Sequence, residues 1–142
     1  MNTSTTNLFV YGTLRSAFGH IAHQLICKHF DLLGEARVRG KLYDMGEYPA
    51  AIKTNEQLFI RGELYELKNT GVFISAMAEL DDYEGVNLES PEESLFVKEV
   101  TTVYLRNDPA EAWMYWYNQP ITLQPLISSG QIADYMTYKS KQ

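Results

Sequence analysis

Apolar and polar positions along the chain alternate between two periods, and the switches between them mark out the elements. Leu8 to Tyr11 is an unbroken apolar run that reads as a buried first strand. Ser16 then opens a stretch in which Ile21, Ala22, Leu25, Ile26 and Phe30 recur at helical spacing. From Asp31 the period changes to two, with Val38, Gly40 and Leu42 between Arg37, Arg39, Lys41 and Tyr43, which predicts a half-exposed strand. Gly46-Glu47-Tyr48-Pro49-Ala50 reads as a turn with a locked proline. Leu58 to Leu67 alternates again, and Gly62 in its middle suggests a bend or bulge of the kind a small barrel uses. Asn69-Thr70-Gly71 supplies a helix cap, after which Phe73, Ala76, Met77, Leu80 and Tyr83 or Glu84 fall at intervals of three and four until Gly85. Val86 to Ser94 is polar and acidic and reads as an exposed loop able to serve as a lid. Leu95 to Leu105 and Ala112 to Tyr117 are predicted strands of a hairpin turning at Asn107-Asp108-Pro109, and the tail from Pro125 to Gln142 carries a short helical pattern at Ile132, Tyr135 and Met136.

The 142 residues suit one domain, large enough to bury about two thirds of its unfolded surface. The single cysteine, Cys27, excludes an intramolecular disulfide, and no basic-then-apolar leader opens the sequence, so the cytoplasm is the expected compartment. No apolar run approaches the roughly 20 residues that span a bilayer, so no membrane partner is expected. Twelve basic against 18 acidic side chains give a net charge of -6, which repels a phosphate backbone and argues against nucleic acid.

Two segments carry candidate chemistry. In Asn7-Leu8-Phe9-Val10-Tyr11-Gly12-Thr13-Leu14-Arg15 a strand breaks into a glycine turn before a helical pattern, which exposes backbone N-H groups able to hold a carboxylate or a polarised carbonyl. In Glu79-Leu80-Asp81-Asp82-Tyr83-Glu84-Gly85 a helix rich in carboxylates stops at glycine, with Glu84 on or near the core-facing stripe. Asp81 and Asp82 read as solvated positions on the helix face, and Tyr48 either walls a pocket or packs a turn. His20 and His23, at i, i+3 without a third ligand, read as a solvated helix face and not a metal site. Cys27 reads as core, the aromatic cluster Trp113, Tyr115, Trp116 and Tyr117 as barrel packing or a dimer contact, and Arg37, Arg39 and Lys41 as a wet strand face.

Taken in order, Phe9-Val10-Tyr11-Gly12-Thr13-Leu14-Arg15, Gly46-Glu47-Tyr48-Pro49-Ala50, Arg61-Gly62-Glu63-Leu64-Tyr65, Leu80-Asp81-Asp82-Tyr83-Glu84-Gly85 and the strand Leu95 to Leu105 resemble the gamma-glutamylcyclotransferase-like superfamily, in particular its AIG2-like and gamma-glutamylamine cyclotransferase-like branch. The chain departs from that pattern at Phe96-Val97-Lys98, where relatives often carry Tyr-x-Arg, and at Ile132, where many carry tryptophan. The resemblance implies an α+β fold around a small mixed β-barrel with flanking helices and a ligand cavity at one mouth. It implies that Glu84 is the general acid/base and that Tyr11, Gly12, Thr13 and Leu14 bind the glutamyl part of a small-molecule gamma-glutamyl substrate. The reaction so implied closes the substrate on itself to 5-oxoproline and a free amine, with no cofactor. A glutamate with an ordinary pKa of about 4.3 is a weak base for this, and burial with Asp81 or Asp82 nearby is expected to raise it. The rival expectation is a binding module that keeps the cavity without the chemistry, and the expected assembly is a monomer or weak homodimer.

Overall fold

The computed structural model describes residues 5–11, 23–44, 49–84, 94, 96–121 and 126. Among the described residues seven strands and two α-helices follow one another as β1 (Leu8–Val10), α1 (His23–His29), β2 (Phe30–Arg39), β3 (Lys41–Asp44), β4 (Pro49–Ile52), β5 (Phe59–Leu67), α2 (Phe73–Glu84), β6 (Phe96–Leu105) and β7 (Asp108–Tyr117). Five strands close a barrel in the order β1-β5-β2-β6-β7, and β3 pairs with β4 in a separate two-stranded sheet. The barrel is mixed, because β1 is antiparallel to β5 but meets β7 in parallel at Leu8 and Trp113. That closure is fastened by the Trp113 amide donating to the Asn7 carbonyl at 2.9 Å and its indole N-H donating to the Thr5 carbonyl at 3.0 Å. The expected α+β barrel is therefore the fold.

Strand alternation sorts the core into two clusters. Phe9, Val38, Ile60, Leu64, Val103, Met114 and Trp116 pack in one, while Leu8, Val10, Tyr65 and Tyr115 face the other way, against Ile26 of α1 and Ala76, Met77 and Leu80 of α2. β1 is buried along its whole length because one of its faces fills the barrel and the other meets the helices. Helix α2 starts as expected: the Gly71 amide donates to the Asn69 side-chain oxygen at 2.9 Å, and a single 3-10 turn, Thr70–Val72, leads into the helix. No described helix is long and apolar enough to cross a membrane.

Several expectations are corrected. Phe30 keeps helical spacing with α1 but opens β2, one residue before the expected switch at Asp31, and is 2% exposed there, while the single strand expected through Tyr43 is broken at Gly40 into β2 of the barrel and β3 of the separate sheet. The bulge lies on β2 between Leu32 and Gly34, where Gly34 has φ +151°, and not at Gly62. Gly62 stays in register with Ala36 and is glycine for another reason: a Cβ there would sit 2.2 Å from the Val10 carbonyl oxygen. The β6–β7 turn is Arg106-Asn107, both at positive φ (50° and 72°) as in a two-residue type I′ hairpin, and Asp108 and Pro109 already belong to β7. β4 was not expected beyond the turn at Pro49. Cys27 is exposed, and its neighbour Ile26 is the buried one. The expected lid, apart from the buried Ser94, lies outside the described residues. So does the expected C-terminal helix, of whose segment only Leu126, bridged to Tyr43, is described.

Candidate active site

The end of β1, the start of β6, the end of β7 and the last turns of α2 meet around one carboxylate. Tyr11 directly follows β1, is 7% exposed, and its hydroxyl donates to the Tyr115 carbonyl at 3.2 Å. The Tyr115 hydroxyl in turn donates to Asp81 Oδ1 at 2.6 Å, and Lys98 Nζ donates to Asp81 Oδ2 at 2.6 Å. Lys98 and Tyr115 are direct partners across β6 and β7, so the two donors reach α2 side by side. Lys98 also lies 5.9 Å from the centre of the Trp113 ring.

Asp81 therefore corrects its sequence reading. It is 8% exposed and not a solvated helix position, while Asp82 is exposed as expected. An ionised carboxylate this buried is tolerable only when donors satisfy both oxygens, and here each oxygen has its own short partner. One lysine and one phenol supply those donors. A signal for this existed in the sequence: Asp81 falls four residues after the buried Met77 and so on the packed stripe. Its donors, 17 and 34 residues further along, are not readable from helix spacing.

Glu84 is the last residue of α2, three residues after Asp81 and four after Leu80, both of which are buried. Its backbone thus continues the stripe that faces the barrel. Its side chain, and the expected substrate-binding residues Gly12, Thr13, Leu14 and Tyr48, lie outside the described residues. Among the predicted site residues, Tyr11 and the backbone of Glu84 are thereby brought to one end of the fold, linked through Tyr115 and Asp81.

Two further groups, Glu63 and Trp116, were not singled out in the sequence as site candidates. Glu63, paired in register with Val10, is 5% exposed and accepts a hydrogen bond from the Tyr65 hydroxyl at 3.0 Å. Among the described residues the buried indole N-H of Trp116 has no hydrogen-bond partner, an arrangement that leaves a donor for a carbonyl or carboxylate oxygen and otherwise costs about 1–3 kcal/mol. Among the described residues no group of three or more His, Cys, Asp and Glu could hold a metal ion, and His20, the partner in the expected i, i+3 pair with His23, lies outside them.

Comparison with known proteins agrees with this fold. The chain is 31% identical over 128 residues to the gamma-glutamylcyclotransferase family protein YtfP of Escherichia coli (strain K12), covering 89% of this chain and 96% of that one. The solution structure of E. coli ytfP superposes with a TM-score of 0.62 at 27% identity, over 92% of this chain and 98% of that one. The crystal structure of YkqA from Bacillus subtilis has a TM-score of 0.70 at 24% identity, covering 96% of this chain but 43% of YkqA. The family described as gamma-glutamyl cyclotransferase, AIG2-like, matches residues 8–134. With that match spanning the strand, turn and helix segments described above, the chain belongs to the AIG2-like gamma-glutamyl cyclotransferase family.

Proposed function

We propose that the protein converts a gamma-glutamyl amine or gamma-glutamyl amino acid to 5-oxoproline and the free amine, with Glu84 as the general acid/base. The α-amino nitrogen of the substrate, after its ammonium form gives up a proton, attacks its own side-chain carbonyl carbon, the C–N bond to the leaving amine breaks, and the two protons that the α-ammonium loses in becoming the lactam N–H pass to the departing nitrogen, which leaves as an ammonium. Because nucleophile and electrophile share one molecule, holding them in a ring-like pose supplies much of the acceleration, with effective molarities of about 10⁵ to 10⁸ M. One carboxylate between the two nitrogens serves both proton transfers. The backbone amides of Gly12, Thr13 and Leu14 hold either the developing oxyanion or the substrate α-carboxylate, with Tyr11 and Tyr48 as further walls.

The observation that carries this reading is the anchoring of α2 through Asp81. Tyr115 and Lys98 pin that helix one turn before Glu84, and Tyr11, directly after β1, bonds to the same Tyr115. Family membership supplies the reaction class. The test is a product assay on a panel of gamma-glutamyl amines and amino acids. Turnover to 5-oxoproline is expected, reduced about 10²- to 10⁴-fold in Glu84→Gln. Ligands that raise Tm without yielding 5-oxoproline would reassign the cavity to a binding role, and release of glutamate in its place would point to hydrolysis.

A further inference from the structure

The outward face of the barrel over β2, β5 and β6 carries a concentration of arginine that neither the fold nor the proposed chemistry uses. Arg37 on β2 stands directly opposite Arg61 on β5 and directly opposite Tyr104 on β6, and Arg39 stands opposite Phe59. Arg106 occupies the adjoining β6–β7 turn. Four of the five arginines of the chain thus lie on or beside one sheet face. Three of them, Arg37, Arg61 and Arg106, border a cavity of about 510 Å³ whose walls also include Glu35, Phe59 and Tyr104.

Like charges placed opposite one another across a sheet are destabilising, and a chain with surplus carboxylates has the means to neutralise them. It does so for lysine and not for arginine. Lys28 pairs with Glu79, Lys41 with Glu56, Lys53 with Glu99, Lys68 with Asp31 and Lys98 with Asp81. Those are all the lysines among the described residues, whereas none of the four described arginines forms an ion pair there. Arg37 is instead held against aromatic faces, 5.3 Å from the centre of Phe59 and 5.4 Å from that of Tyr104. That contact orients a planar guanidinium while leaving its N-H edges free to donate.

We propose that this groove is a binding site for a dianionic oxyanion, a phosphate group carried by a small molecule. Three guanidinium groups against the single Glu35 carboxylate leave the walls with a charge of +2, which matches a phosphate monoester. Guanidinium forks fit tetrahedral oxyanions through paired N-H donors. The volume falls in the range of roughly 300–1,000 Å³ of small-molecule sites. The residues involved are separate from Tyr11, Asp81, Glu84, Lys98 and Tyr115, so the site stands or falls independently of the cyclotransferase reading.

The test is amide-detected NMR titration of the full chain with inorganic phosphate and with phenyl phosphate, against sodium chloride at matched ionic strength. Saturable shifts around Arg37, Arg61 and Arg106 are expected with both phosphates and not with chloride. The double variant Arg37→Gln, Arg61→Gln is expected to weaken binding at least about tenfold. Without phosphate its Tm should equal or exceed that of the wild type, because it removes like-charge repulsion, whereas arginines with a purely structural role would lower it. Shifts that chloride reproduces, or phosphate affinity unchanged in the double variant, would overturn the proposal. A single-stranded oligonucleotide that binds the groove more tightly than phenyl phosphate would overturn the small-molecule assignment in favour of nucleic acid.

Discussion

The outward row of β5 passes through two environments within nine residues. At its start Arg61 is exposed, beside arginines that form no ion pair among the described residues, while two and four positions later Glu63 and Tyr65 are 5% and 2% exposed. α1 and α2 make the difference, because they cover the barrel wall where Tyr65 lies and leave the wall around Arg61 bare. Under the helices every charge must be matched, and Asp81 with its two short donors shows how completely. On the bare wall water solvates the guanidinium groups at little cost, so a charge can stay unpaired and available. Buried charge matched atom for atom, as at Asp81, holds the fold in place, and the unmatched arginines mark a surface free to take a ligand.

The harshest way to break this comparison is at Gly62, the residue between Arg61 and Glu63. A Cβ there would lie 2.2 Å from the Val10 carbonyl and 2.7 Å from Phe9 Cζ, so β1 would have to move away from β5. Gly62→Ala is expected to cost about 3 kcal/mol or more, lowering Tm by roughly 10 °C. Because one strand carries both environments, hydrogen exchange should accelerate in β1 as well as in β5. Protection lost only locally around Arg61 would show that the two ends of β5 are independent.

Next in size is Asp81→Asn, which keeps the shape of the side chain and removes the charge that Lys98 and Tyr115 address. The expected loss is about 2 kcal/mol, read as a fall in denaturant midpoint with an unchanged slope. If α2 is pinned through Asp81, the variant should also lose cyclotransferase turnover while Asp82→Asn, at an exposed position, changes neither stability nor rate. Equal effects of the two substitutions would remove Asp81 from its anchoring role.

How far these features were legible in the sequence follows the same division. Periodic stretches with one bare face were plain: the alternation from Leu58 to Leu67, the stripe of α2 and the pairing of β6 with β7 stand where the pattern put them, whereas the single strand read through Tyr43 is two strands in two sheets and the hairpin turn comes earlier. The bulge at Leu32 and Gly34 was hidden because it breaks the period and leaves Leu32 51% exposed on a strand. β4 was hidden because Ala50 and Ala51, both fully buried, carry little strand preference of their own. Among site residues, Tyr11 and Glu84 were reached through motifs, whereas Asp81 and Lys98 depend on contacts between α2 and β6 that no local period encodes. The arginine face was visible only as alternation, since the opposition of Arg37 and Arg61 exists only once β2 and β5 are paired.

The smallest effect concerns the ion pairs that join the two helices over the covered wall. Lys28 and His29 at the end of α1 both reach Glu79 of α2, at 3.3 and 2.9 Å. The hydrogen bond from His29, followed by that from Lys28, holds the Glu79 carboxyl below its ordinary value of 4.5. A group whose pKa is lowered by folding adds stability above the unfolded value and loses it as pH falls through the folded one. Glu79→Gln should therefore lower Tm by only about 2 °C at pH 7, as expected of an exposed pair, and the gap should close as the pH is taken below 4.5 toward full protonation. A gap that persists at about pH 2, where both chains carry a neutral side chain at this position, would mean that Glu79 joins the helices by packing and not by charge. The rule that charge is matched where the helices cover the barrel would then rest on the buried Asp81 alone.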